Sequence, residues 1–210
     1  MNKDWLGNSY SVYKNLAASN HCSTERVDDD FYATDPNALQ LLINKLNTDH
    51  IILHKNIWEC AVGQGHLSNV LKENNYNVFS SDLIDRGYNN TYIIDFLNDK
   101  LNRPFDTFDI LTNPPYKYAE DFVYKALDIL QDGEYCIMFL KIQFLEGKSR
   151  YNLFMNYPPK FVYVHSTRQV CAPNGEFIGE NGKKIGSAVC YAWYIWEKGF
   201  KGNTTIRWIK

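Results

Sequence analysis

The sequence predicts an α/β fold, a mostly parallel sheet with helices on both faces. Three observations carry this. Short β-branched and aromatic runs alternate with stretches of helical spacing from residue 34 to residue 196, the pattern of strand–helix crossovers. The first run ends in Gly63-Gln64-Gly65, directly before a helical stretch. The fourth ends in Asn113-Pro114-Pro115-Tyr116, a loop stiffened by two prolines.

The elements follow in chain order. Residues 1–30 lack periodicity, are rich in Asn, Ser and Tyr, and close on Asp28-Asp29-Asp30; they read as an N-terminal arm. Thr34-Asp35-Pro36 offers a helix start, with a capping residue and a proline in the first turn. Ala38, Leu39, Leu42, Ile43 and Leu46 then keep helical spacing. Strands are predicted over 56–62, 77–81, 91–94, 107–111, 134–140, 161–164 and 187–196, and helices over 66–74, 118–130 and 148–156. A glycine-rich, basic insertion, 165–186, separates the last two strands.

A chain of 210 residues accommodates one such core, so 31–210 are read as a single domain. Hydrophobic residues make up 45% and charged residues 22%, globular values that argue against disorder. No apolar run approaches the ~18 residues of a membrane span, and Met1-Asn2-Lys3-Asp4-Trp5 has no apolar signal core. A cytoplasmic location with no membrane partner is expected. The five cysteines form no Cys-x-x-Cys pair and the five histidines show no ligand spacing, so no metal is expected. Residues 1–140 carry 11 Lys+Arg against 20 Asp+Glu; residues 141–210 carry 11 against 4. The near-neutral total hides an acidic first part and a basic last third, which suits a polyanionic partner.

A strand running into Gly-x-Gly and a helix makes a nucleotide-binding turn, because glycine lets the backbone lie against a ligand and the helix start offers unpaired N–H groups. An ordinary strand–helix turn that needs glycine remains open on this motif alone. A dehydrogenase fingerprint would want Gly or Ala at 68, which is Ser68. Asp82 closes the second strand, where a carboxylate accepts from both ribose hydroxyls of a nucleoside. Asp95 and Phe96 close the third, an acid and an aromatic suited to an adenine amine and ring face. His66 opens the helix and borders the same turn.

The Asn-Pro-Pro-Tyr loop is more specific. Two prolines fix φ, remove two N–H donors and hold the preceding residues extended. The Asn113 side-chain oxygen and the Pro114 carbonyl are two acceptors at a rigid site, suited to a planar –NH₂ group. Tyr116 can stack on the ring that carries it, an interaction of ~1–3 kcal/mol per base.

With these motifs in hand, the sequence resembles the S-adenosylmethionine-dependent amino-methyltransferases, most closely the N6-adenine DNA methyltransferases of the small kind found in phages and prophages. The likeness runs from Phe31 to about Gly199. It implies a Rossmann-like class I methyltransferase fold, with a seven-stranded sheet whose last strand is antiparallel, and S-adenosylmethionine as cofactor. By the same resemblance, Phe31–Pro36, with Tyr32 and Thr34, contacts the methionine end of the cofactor. Glu59, Ala61, Gly63 and Gly65 form its loop, Asp82 takes the ribose, and Asp95 with Phe96 the adenine. Asn113, Pro114, Pro115 and Tyr116 are the catalytic tetrapeptide, with Asn113 also bordering the cofactor. Ser187–Trp193 matches a late strand that borders the site, with Trp193 or Tyr32 as further stacking rings. Leu16-Ala17-Ala18-Ser19-Asn20 is expected to fold over the cofactor.

The implied reaction is in-line attack of the adenine N6 amine on the activated methyl, with its hydrogens accepted by Asn113 and the Pro114 carbonyl. The implied partner is nucleic acid, DNA first. Tyr116 would stack on the target base, and Lys148, Arg150, Arg168, Lys183 and Lys184 would bind phosphates. The sequence departs from the large family members in having no separate recognition domain. Loose specificity, single-stranded targets or a partner supplying target recognition follow as expectations. RNA adenine methyltransferases and protein-glutamine methyltransferases share the tetrapeptide and stand as alternatives. So does a non-catalytic cofactor-binding protein, against which the two intact motifs argue.

Overall fold

The computed structural model describes residues 32–98, 100–173, 175–178, 182 and 185–210. The arm at 1–30, Leu16–Asn20 within it, and both Lys183 and Lys184 lie outside the described residues.

Strand β1 (Tyr32–Thr34) leads into helix α1 (Pro36–Thr48). The Asp35 carboxylate accepts the Asn37 N–H at 3.0 Å and Pro36 occupies the first turn, so the predicted start is the actual one. Strand β2 (Asn56–Glu59), helix α2 (His66–Glu73), strand β3 (Asn77–Asp82) and the short strand β4 (Tyr92–Ile93) follow. Next come β5 (Asp109–Thr112), α3 (Ala119–Ile129) and β6 (Tyr135–Lys141). The chain ends with α4 (Tyr151–Asn156), β7 (Phe161–His165), β8 (Cys171–Pro173), β9 (Tyr191–Glu197) and β10 (Thr205–Ile209).

The main sheet runs β10-β7-β9-β6-β5-β2-β3-β4. Every neighbouring pair is parallel except those of β9, which is antiparallel to both β6 and β7. The antiparallel seventh strand of the sequence prediction is therefore present. It is not the last, because β10 adds an eighth strand alongside β7. That strand hides in the sequence because only one of its faces is covered: Ile209 is buried, whereas Ile206 and Trp208 are 49% and 64% exposed.

Period-two alternation divides the core. Cys136, Met138 and Leu140 of β6 face Phe122, Val123, Ala126 and Leu127 of α3. Ile137 and Phe139 face the other way, into the layer made by α1 and α2. Helices thus cover both faces, and the carboxyl ends of β2, β3, β5 and β6 meet along one edge, where open α/β sheets hold ligands. A second sheet crosses that edge: β1 pairs antiparallel with β8, Thr34 opposite Cys171.

Candidate active site

The glycine turn is built from both ends. Gly65 caps α2 with φ +81°, a left-handed conformation that disfavours other residues. A Cβ there would fall 2.1 Å from the Tyr88 ring. The turn is fastened to β3: the Val62 N–H donates to the Ser81 carbonyl at 3.0 Å, and the Gly63 N–H to Asp82 Oδ2 at 2.7 Å. Asp82 Oδ1 accepts the Ile84 N–H at 3.2 Å. A carboxylate has about four acceptor positions, so Asp82 braces the turn and keeps capacity for a ligand.

Glu59 closes β2 inside the protein. Its Oε2 accepts from Ser68 Oγ, which also pairs with Ser80 Oγ at 2.8 Å. Burial pushes its carboxyl up to about 8; the Ser68 hydrogen bond opposes this and the charge of Asp82 adds to it. Glu59 is therefore a neutral carboxyl through most of the physiological range.

The second motif leaves a fully buried strand, β5. Asn113 Nδ2 donates to the Tyr32 carbonyl at 3.0 Å. Its Oδ1 is buried and, among the described residues, has no hydrogen-bond partner. The Tyr116 hydroxyl lies 3.2 Å from Cys171 Sγ, and burial holds both groups up, the phenol well above its usual range and the thiol to about 11. The Tyr116 ring stacks on Tyr191 at 5.9 Å between centroids, has Tyr32 at 6.3 Å, and carries Lys141 Nζ 4.9 Å from its centre. Tyr32 and Cys171 reach the loop because β1 and β8 pair across it.

These groups line one open cleft. It brings Tyr32 and Thr34 together with Glu59, Ala61, His66 and Asp82, and with Asn113, Pro114, Pro115 and Tyr116. Gly63 and Gly65 shape the neighbouring turn and do not line the cleft. Phe96 is a correction: it is 2% exposed and packs against Trp58 and Phe122 at 5.2 and 5.0 Å, so its ring faces the core and offers no face to a ligand. Asp95 is exposed beside it, accepting the Leu97 N–H at 3.0 Å, and does not line the cleft. Trp193 is also inside, donating to the Ala38 carbonyl at 3.2 Å; its strand neighbour Tyr191 stacks on Tyr116 instead.

The predicted phosphate ligands divide. Arg150 is engaged within its own segment: its Nε and Nη2 donate to the carbonyls of Phe144 and Glu146, and its guanidinium lies over the Phe144 ring. Those donors close the turn at 142–146. Lys148 is exposed just beyond that turn, at the start of a short 3-10 turn, Lys148–Arg150. Arg168 is exposed and gives one bond, 2.5 Å, to the Ala188 carbonyl. Among the described residues no group of three or more His, Cys, Asp and Glu side chains could hold a metal ion, and no helix is long and apolar enough to cross a membrane.

No protein-family model matches the sequence, and no curated protein does. Solved structures do. A candidate RNA methyltransferase from Pyrococcus horikoshii superposes with a TM-score of 0.56 at 17% identity, over 80% of this chain and 87% of that one. A candidate class I S-adenosylmethionine-dependent methyltransferase from Listeria monocytogenes gives 0.54 at 13% identity, over 83% of this chain and 64% of that one. A candidate hemolysin from Lactococcus lactis gives 0.52 at 13%, over 80% and 89%. The fold is that of the class I methyltransferases. This chain spans less than two thirds of the Listeria protein's length.

Within that fold, four groups in or beside the cleft are not singled out by the sequence, although Tyr191 lies in the late strand expected to border the site. Arg86 lines it from the segment after β3. Cys171, Lys141 and Tyr191 surround Tyr116. The charge of the last third hinted at Lys141, and the aromatic late strand at Tyr191. Nothing in the sequence marked Cys171, whose role depends on the pairing of two three-residue strands far apart in the chain.

Proposed function

We propose that the chain transfers a methyl group from S-adenosylmethionine to the exocyclic N6 amine of adenine in nucleic acid, with DNA as the preferred form. The observation that carries this is the bare acceptor at Asn113 Oδ1. A buried acceptor without a donor costs ~1–3 kcal/mol; an incoming –NH₂ group removes that cost by donating to it. The Pro114 carbonyl follows directly and the Tyr116 ring stands beside it, so one planar amine-bearing ring can be hydrogen-bonded and stacked at once.

The cofactor side fits the same reading. The left-handed turn at Gly65, the start of α2 and the remaining acceptor capacity of Asp82 suit the nucleoside of S-adenosylmethionine. Tyr32, Thr34 and Glu59 would face its amino-acid end. When bound, the cofactor supplies a methyl group already activated by its sulfonium. The chain's own task is to hold the amine and accept its hydrogens at Asn113 Oδ1 and the Pro114 carbonyl. Acceptors placed where charge develops are worth about 10²–10³ in rate.

Homopolymers test the base. With labelled cofactor, poly(dA) should accept methyl groups while poly(dC) and poly(dT) do not, and Asn113→Ala should abolish the signal. Labelling of poly(dC) would move the reading to the cytosine N4 amine. Labelling of none, with a glutamine-bearing peptide labelled instead, would replace nucleic acid by protein.

A further inference from the structure

Lys141 closes β6 and faces Tyr116 across the end of the sheet. It is half-buried, and among the described residues its ammonium forms no ion pair and no hydrogen bond; it lies 4.9 Å from the centre of the Tyr116 ring and near the Cys171 thiol. A partly desolvated cation that faces a ring and a neutral thiol is short of a counter-charge. The cleft's own acids do not supply one. Glu59 and Asp82 end β2 and β3, on the far side of β5 from β6, and Glu59 is neutral. The sheet order thus sets the cofactor turn on one side of Asn113 and a free cation on the other.

We infer that Lys141 is a binding site for a backbone phosphate of the substrate strand, next to the nucleotide whose base lies on Tyr116. The assignment rests on the base-stacking reading above and deepens it. It names a phosphodiester as the second group the site recognises, which a glutamine side chain lacks. Tyr116 and Lys141 form one seat: the ring takes the base, and the ammonium leaves the ring for the phosphate. A lysine serves here as a compact point charge on a flexible stem, able to make that short move.

The test is the salt dependence of kcat/KM for methylation of a single-stranded oligodeoxynucleotide with one adenine, by the full chain. Each phosphate contact contributes about 0.7 to the slope of log(kcat/KM) against log salt concentration for a single strand. Lys141→Gln should flatten the slope by about that amount, and Lys141→Arg should restore it. An unchanged slope in Lys141→Gln, even with lower activity, would show a packing role and overturn the inference. The second measurement needs no variant. On the wild-type protein, one neutral methylphosphonate linkage beside the adenine should raise KM about fivefold or more at low salt. Insensitivity at every linkage would overturn the inference while leaving the adenine reading intact. Failure of the wild-type protein to methylate any nucleic acid would overturn both.

Discussion

Asn113 Nδ2 and the Tyr32 carbonyl are 3.0 Å apart, and this bond decides which way the amide faces. Only the –NH₂ group can meet a carbonyl, so Oδ1 is turned to the opposite side and stays without a donor. Strand β1, through the Tyr32 carbonyl, therefore prepares the acceptor that the proposed reaction would use. Truncating Asn113→Ala should lower kcat by about 10²–10³, while calorimetry shows cofactor affinity within a few-fold of wild type. A loss confined to cofactor affinity would assign Asn113 to the cofactor alone.

On the proposed reading Tyr116 acts through its ring rather than its hydroxyl. Tyr116→Phe loses the contact to Cys171 Sγ and keeps the stack on Tyr191; its kcat/KM on an oligonucleotide should stay within about threefold of wild type. Tyr116→Ala removes a stacking interaction of ~1–3 kcal/mol, which amounts to a loss of about five- to 150-fold. Equal losses in both variants would make the hydroxyl the important group.

Gly65 is constrained twice, by its φ of +81° and by the Tyr88 ring over it. Gly65→Ala should destabilise the protein by more than the ~1–2 kcal/mol of a left-handed alanine, read by denaturant unfolding. Adding Tyr88→Ala relieves the ring contact and should recover part of that loss, leaving the backbone share. No recovery would mean that the ring yields without cost.

Glu59 gives a pH signature. Its proton is held more tightly in the folded chain, at about 8, than at the ordinary 4.5. The folded state carries the extra proton between those values, so stability falls as pH rises through the window. The contribution is whole below pH 4.5 and gone above about 8. Glu59→Gln has no such titration, and its stability relative to wild type should grow by a few kcal/mol between pH 5 and pH 8. Parallel pH profiles for the two proteins would contradict a buried neutral carboxyl.

Arg150 separates structure from binding. Its guanidinium ties the carbonyls of Phe144 and Glu146, so Arg150→Ala should cost about 1–3 kcal/mol of stability with no change in the salt slope of oligonucleotide affinity. A flatter slope would return Arg150 to the phosphate ligands.

Much of this was legible in the sequence because it is local. Glycines before a helix, prolines after an apolar run and a strand-end acid each dictate their own backbone, and the cleft gathers them. What stayed hidden depends on partners distant in sequence. Asp95 and Phe96 are adjacent, yet one side chain faces solvent and the other the Trp58 cluster. Composition marks Arg150 as a cation but cannot say that backbone carbonyls will take its Nε and Nη2 donors. The β1–β8 ribbon, three residues on each side, has no periodicity to find, and through it Tyr32 and Cys171 meet the tetrapeptide.

The most direct measurement of the central claim is the identity of the methylated product. Single- and double-stranded DNA, RNA and a glutamine-bearing release-factor protein would be incubated in parallel with labelled S-adenosylmethionine. The nucleic acids would be digested to nucleosides, the protein to peptides, and all read by mass. The account predicts labelled N6-methyldeoxyadenosine from DNA, and its absence with Asn113→Ala. Label in the protein alone, or in no substrate while the cofactor still binds, would contradict it.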